Sequence, residues 1–355
     1  MYIKLDGNHL IIPDDVTIGY IEGDGEGTEL TRAMINAVNS AIEIAYSGSK
    51  SIEWKKIYIG REAYEKYGKY LPRESIEDIR KTVFVMKGPL SSNINGHDIN
   101  INIKRILNLY TDVKCITGLP GLSEGKEIFI FSPSIDEVYH FSYDSEDSDM
   151  LRQYLQQSFN ISIGGDSDIF LKGTSRYRII KIASKIAEIS SLYGIKRTLV
   201  ADDYTGSHAP LWVYNTLNKM EMPVEIENLY NLYDEMTSES RFNIFIPDSR
   251  LSSLIIKIIS ARTFFGAILG DFISLFESQS RPSFTEEGYD LADPTSFLLA
   301  SSMMLRRLNF NDAALILRNA LNSVYSDGIL PASLNLNNGL KCSDFIDAIV
   351  KRMKR

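Results

Sequence analysis

Cysteine is nearly missing from this chain: Cys115 and Cys342 are the two thiols in 355 residues. Two thiols cannot build a disulfide framework, so a reducing cytosol is the expected compartment. Runs of Lys and Arg are also missing, and the net charge of -8 argues against a nucleic-acid surface. The N-terminal residues show no charged-then-apolar leader. No uncharged apolar run is long enough for a membrane span. The most apolar long segment, 251–276, is interrupted by Lys257, Arg262 and Asp271 and reads as a buried helix pair. Repeats and low-complexity tracts are lacking too. These absences leave an ordinary globular composition, 44% hydrophobic and 24% charged, and a length that suggests two domains. A cytoplasmic protein with no nucleic-acid or membrane partner is expected.

Segment patterns give an α/β order. Residues 17–21 alternate like a strand and run into EGDGEG at 22–27, followed by an amphipathic stretch over 28–46. The spacing is GxGxG, not GxGxxG, and no acid clearly marks a ribose-binding strand end, so the glycines read as a tight turn that lets the helix pack closely. Strands are expected at 51–59, 83–86, 128–131, 196–201 and 241–246. Helices are expected at 61–70, 74–81, 174–193, 251–259, 294–308, 311–325 and 343–351. The acid-rich stretch 136–149 reads as a solvated loop, and 158–171 as β-rich and broken by glycine.

Residues 86–115, MKGPLSSNINGHDININIKRILNLYTDVKC, form the centre of the reading. An apolar strand is stopped by Gly88 and Pro89 and followed by a hydroxyl-rich loop. The helical segment 99–110 then places Ile99, Ile103, Ile106, Leu107 and Tyr110 on one face and Lys104 on the other. A strand, a polar loop and a basic helix make a place where a small polycarboxylate could sit.

This stretch resembles the β-decarboxylating dehydrogenases, the isocitrate/isopropylmalate dehydrogenase family, and within it the bacterial-type NADP-dependent isocitrate dehydrogenases. Further blocks occur in that family's order: YIEGDG at 20–25 with Gly27, WKKIYIG at 54–60, GAILGD at 266–271, MMLR at 303–306 and LKCSDFIDAI at 340–349. The resemblance implies an α/β fold with two α/β domains around a central cleft and a small intersubunit clasp. It places a large domain at 1–109 plus 264–355, a small domain at 110–136 plus 174–263, and a clasp-like dimerisation segment at 137–173. It also implies a homodimer, or a heteromer with an active paralogue, and puts the 22–27 turn near the cofactor.

The family's reaction is a metal-assisted oxidative decarboxylation of a 2-hydroxy acid, with NADP and Mg2+ or Mn2+. Its two metal-binding aspartates match Ser253 and Lys257, so no metal is expected there. Asp248 could be a displaced ligand, although a helix N-cap is its commoner role, and Asp234 is the nearest acid to a third position. The proton-moving Lys matches Asp202, in a segment where Ala201, Asp203 and Tyr204 replace its neighbours. The catalytic Tyr is retained as Tyr139, one of 19 tyrosines. On the substrate side the Ser position is Asp98, Asn100 is kept, two Arg positions are Lys104 and Lys114, and a third is Ser132. On the cofactor side Lys87, Ser91 and Ser92 match the nicotinamide end, while Ser280, Arg281 and Asp293 replace a stacking His, a close-approach Gly and an Asn.

The expected protein is therefore isocitrate dehydrogenase-like with an impaired site: a binding, regulatory or partner protein that could hold a small organic acid through Asn100, Lys104, Lys114 and Tyr139. In this reading the pocket is closed by its own charges, with Lys257 where the cation stood and Asp98 or Asp202 where substrate carboxylate lay. The alternative is an active NAD(P)-dependent decarboxylase using Asp202, Asp203 or Asp248 as relocated ligands.

Overall fold

The structure, a computed structural model, describes residues 1–7, 9–91, 98–135, 137–202, 206–237, 241–259, 264–278, 282–285, 287–335 and 338–354. The chain opens with a small hairpin, β1 (Lys4–Asp6) and β2 (His9–Ile11). A βα series follows: β3 (Asp15–Ile21), α1 (Gly27–Tyr46), β4 (Ser51–Lys56), α2 (Arg61–Tyr67), α3 (Arg73–Thr82), β5 (Phe84–Lys87) and α4 (Ile99–Ile106). Next come β6 (Thr111–Leu119) and β7 (Leu122–Pro133), then β8 (Glu137–Phe141), α5 (Glu146–Phe159) and β9 (Ile169–Gly173). A second series comprises α6 (Arg176–Tyr193), β10 (Thr198–Asp202), α7 (Ala209–Lys219), β11 (Val224–Asn228), α8 (Leu229–Thr237), β12 (Arg241–Phe245) and α9 (Ser249–Ile259). The chain ends with β13 (Phe264–Leu269), β14 (Ser274–Ser278), α10 (Thr295–Arg307), α11 (Asn311–Ser326) and α12 (Cys342–Met353).

Among the described residues ten strands form one sheet in the order β11-β10-β12-β7-β6-β13-β14-β5-β3-β4, while β8 and β9 pair as a separate ribbon. Strands joined through helices run parallel, as crossovers require; β6, β7, β13 and β14 meet their neighbours through antiparallel pairings as well. One face carries a continuous core in which α1, α6, α7 and α10–α12 pack on Val16, Phe84, Phe129, Phe245 and Phe276. The other face holds two smaller clusters. Ile76, Ile79, Ile99 and Ile103 cover Val85, Ile268 and Leu275, and farther along the sheet Leu232, Met236 and Ile256 cover Ile116, Ile130 and Ile244.

The glycine turn is a packing device. Gly23 has φ +85°, and a Cβ there would stand 2.0 Å from the Pro89 carbonyl oxygen; at Gly27 it would stand 2.1 Å from Glu22 O. Asp24 completes the joint, its carboxylate accepting from Arg61 N at 2.9 Å and Ser91 N at 2.8 Å. The β3–α1 turn and the KGP segment are thereby locked together.

Four expectations are corrected. Residues 251–276 are not a helix pair: after α9 the segment forms the β13–β14 hairpin, whose Phe, Ile and Leu content and Gly270 turn, with Gly270 N donating to Ile273 O at 2.9 Å, favour strands. Ile106 is 49% exposed, because α4 ends there, and Tyr110 lies outside the helix, its carbonyl accepting from Ser134 N. The acid-rich stretch is not simply a loop, since it contains β8 and the start of α5, where Glu146, Asp147 and Asp149 suit a positive helix N-terminus capped by Ser145. Within 158–171, the β-structure begins only at Ile169. Both cysteines are buried, free thiols. No helix among the described residues is long and apolar enough to cross a membrane.

Candidate functional site

Strand register builds a row of charged positions between the two smaller clusters. Lys114 on β6 lies opposite Gly266 on β13, Gly266 opposite Glu277 on β14, and Glu277 opposite Lys87 on β5. Directly paired residues share a sheet face, so these side chains emerge beside one another under α4. Lys87 Nζ binds Glu277 Oε2 at 2.9 Å, with side chains only 7% and 15% exposed. Lys114 Nζ binds Asp112 Oδ2 at 2.8 Å, again largely away from water.

Above the row, Asn100 and Lys104 lie one turn apart on α4. With Lys87, Pro89, Ile268 and Glu277 they line a cleft of about 160 Å3. Asp98 does not fill this cleft's lining. It is the N-cap of α4, its Oδ1 accepting from Ile101 N at 3.1 Å, which is the ordinary way to satisfy a first-turn donor.

Asp112 is the residue that sequence reasoning missed. Burial pushes its carboxyl pKa up, but Lys114 and Lys104 more than offset this and hold it below the usual carboxylate value. Its other oxygen, Oδ1, has no partner among the described residues, and neither does Ser132 Oγ, which is on the opposing residue of β7. The signal that could have found Asp112 is strand parity: a carboxylate two residues before Lys114 shares its face.

Around α9, where the resemblance implies metal ligands, the side chains are otherwise engaged. Asp248 caps α9, its Oδ1 accepting from Arg250 N and Leu251 N at 2.9 Å each. Its Oδ2 takes Lys172 Nζ at 2.7 Å, tying α9 to the β8–β9 ribbon. Burial raises the Asp248 pKa, but the Lys172 bond and the backbone donors lower it further, so the net shift is downward. Ser253 Oγ donates back to Ser249 O at 2.8 Å, and Lys257 is exposed in the last turn of α9. A hard dication needs several free oxygen donors. A hydroxyl turned to its own helix, an ammonium and a committed carboxylate do not fit Mg2+ or Mn2+. Among the described residues no group of three His, Cys, Asp or Glu side chains could hold a metal ion.

The remaining candidates are scattered. Asp202 ends β10 opposite Asn228 and is half-buried. Asp234 belongs to α8, at an apolar groove. Tyr139 is 60% exposed on the β8–β9 ribbon, opposite Leu171. Asp293 Oδ1 accepts from Thr295 N at 2.9 Å, in front of α10. Ser92, Asp203, Tyr204, Ser280 and Arg281 lie outside the described residues, so of the positions expected at a cofactor only Lys87, Ser91 and Asp293 are described.

Comparison with known proteins bears on the fold that carries these residues. The family model for isocitrate/isopropylmalate dehydrogenase matches residues 17–128. An NADP isocitrate dehydrogenase of Archaeoglobus fulgidus is 23% identical, with 99% of this chain and 96% of the relative covered. One from Psychrobacter is 30% identical over 47% of this chain and 43% of its own length. Among solved structures, isocitrate dehydrogenase from Methylococcus capsulatus superposes with a TM-score of 0.75 at 19% identity, covering 96% of this chain and all of that one. A β-decarboxylating dehydrogenase from Thermococcus kodakarensis gives the same TM-score at 17% identity, with 96% of each chain covered.

Proposed function

From an isocitrate/isopropylmalate dehydrogenase-like chain that carries this fold, we propose a protein that has lost the oxidative decarboxylation and keeps the cleft for binding or regulation. One observation carries the reading: Asp248, the described acid best placed to replace a metal ligand, has both oxygens engaged by its helix and by Lys172. Metal polarisation supplies several kcal/mol to such chemistry, and each tenfold in rate is about 1.4 kcal/mol. The test is NADPH formation from isocitrate with Mn2+. Rates at the no-enzyme background are expected, and Mn2+-dependent turnover would defeat the proposal.

The same reading makes the chain a homodimer or the partner of an active paralogue. Its support is the 137–173 segment, which exposes Tyr139, Tyr154, Phe159 and Phe170, each at 58% or more, with Tyr154 and Phe159 in edge-to-face contact; contiguous exposed apolar surface marks interaction sites. Light scattering on the purified chain checks this, and a strict monomer that captures no paralogue would refute it.

A second reading is an active NAD(P)-dependent decarboxylase with relocated ligands. It is favoured by similarity to a named NADP isocitrate dehydrogenase over 99% of the chain. Under it, Asp202→Asn or Asp248→Asn would abolish metal-dependent turnover.

A further inference from the structure

We propose that the cleft under α4 receives one small monocarboxylate, and that Asp112 is the residue that restricts it to that class. The inference rests on the reading of the cleft as a binding site and adds the chemistry of its occupant.

Charge is the first argument. Three ammonium groups, Lys87, Lys104 and Lys114, converge on this part of the sheet, and two of them are matched by carboxylates at 2.8–2.9 Å. Among the described residues one positive charge remains in excess. Lys104 carries it, being half-buried on α4 and facing the cleft. A polycarboxylate would bring two or more negative charges against one surplus positive charge, beside the half-buried carboxylate of Glu277 and the buried one of Asp112, and like charges this near low-dielectric protein repel. A monoanion closes the balance.

Position is the second. Asp112 pairs in register with Ile268, which lines the cleft, so its carboxylate lies one strand from the wall and on the same face. Lys114 is thereby neutralised from its own strand and withdrawn from any ligand. Size is the third: at about 160 Å3 the cleft falls below the roughly 300 Å3 where drug-sized and cofactor pockets begin. The Asn100 amide, beside Lys104, adds a neutral donor suited to a carboxylate oxygen.

Calorimetric titration of the full chain with acetate and with isocitrate, at matched ionic strength in low-chloride buffer, tests this. Acetate is expected to bind one-to-one and isocitrate to bind more weakly. Lys104→Met, a change on a half-exposed helix face, should weaken acetate at least tenfold. Asp112→Asn should strengthen isocitrate at least tenfold, since it frees Lys114 while keeping the shape. Tighter isocitrate than acetate in the wild-type chain, no acetate binding, or acetate binding indifferent to Lys104→Met would each overturn the proposal. NADPH formation measured on the same preparation separates the two ideas: turnover removes the loss of chemistry, whereas silent acetate without turnover removes only the monocarboxylate.

Discussion

The β5–β6–α4 side of the molecule and the α9 side reach neutrality by opposite routes. Under α4 the cations remain, as Lys87, Lys104 and Lys114, and carboxylates sit against two of them. At α9 the Ser253 hydroxyl and the Lys257 ammonium stand one turn apart, and the nearby carboxylate of Asp248 is bound to Lys172. On one side charge is answered from within the sheet, out of water; on the other it is answered at a surface helix. The difference predicts where substitution is costly: a buried ion cannot lose its partner cheaply, while an exposed one can.

The sharpest break would come at Lys114. Lys114→Met leaves Asp112 buried and unpaired and should cost about 3–5 kcal/mol in urea unfolding, whereas the double change with Asp112→Leu should recover most of it. An equal loss in both variants would show that volume, not charge, holds this region. On the other side, installing aspartates at Ser253 and Lys257, one helical turn apart, should create Mn2+ binding. At a hundred times its dissociation constant the ion would then stabilise the double variant by about 2.7 kcal/mol, read as a thermal shift that the wild-type chain lacks.

Smaller effects refine the contrast. Asp248→Ala removes a helix cap and a partly exposed ion pair and should cost about 1–2 kcal/mol, while Asp248→Asn, which still caps, should cost much less. Equal losses would show that the Lys172 pair outweighs the cap. Asp112 supplies a pH test. Its folded pKa is depressed, so its contribution is complete above the unfolded carboxylate value, about 4, and is lost as pH falls through the folded value. Urea midpoints of the wild-type chain should therefore converge on those of Asp112→Asn in acid. Lys257→Ala, at an exposed position, should change stability by less than about 0.5 kcal/mol.

Much of the fold was legible because local signals agreed. The 174–193 stretch ends at Gly194, which adopts the left-handed C-cap, and the glycines at 23 and 27 are required by carbonyl oxygens 2.0–2.1 Å from any added Cβ. The β13–β14 hairpin was hidden because a short apolar run has no periodicity to tell strand from helix. In the site, the Asp98 cap of α4 could not be read because its bond to Ile101 N depends on where α4 begins. Asp112 went unnoticed because a single charge in an apolar strand reveals its partner only when register and burial are known. Asp248 could be anticipated as a cap, but its bond to Lys172, 76 residues away in the chain, could not.

The β13–β14 hairpin fills the middle of the sheet between β6 and β5, yet both neighbours are made more than 140 residues earlier. During synthesis the open edges of β5 and β6 must wait for their partner to leave the ribosome. Unpaired strand edges are templates for wrong pairing, so a chain halted before residue 264 should be the aggregation-prone form, and chaperone dependence should fall once the hairpin has emerged.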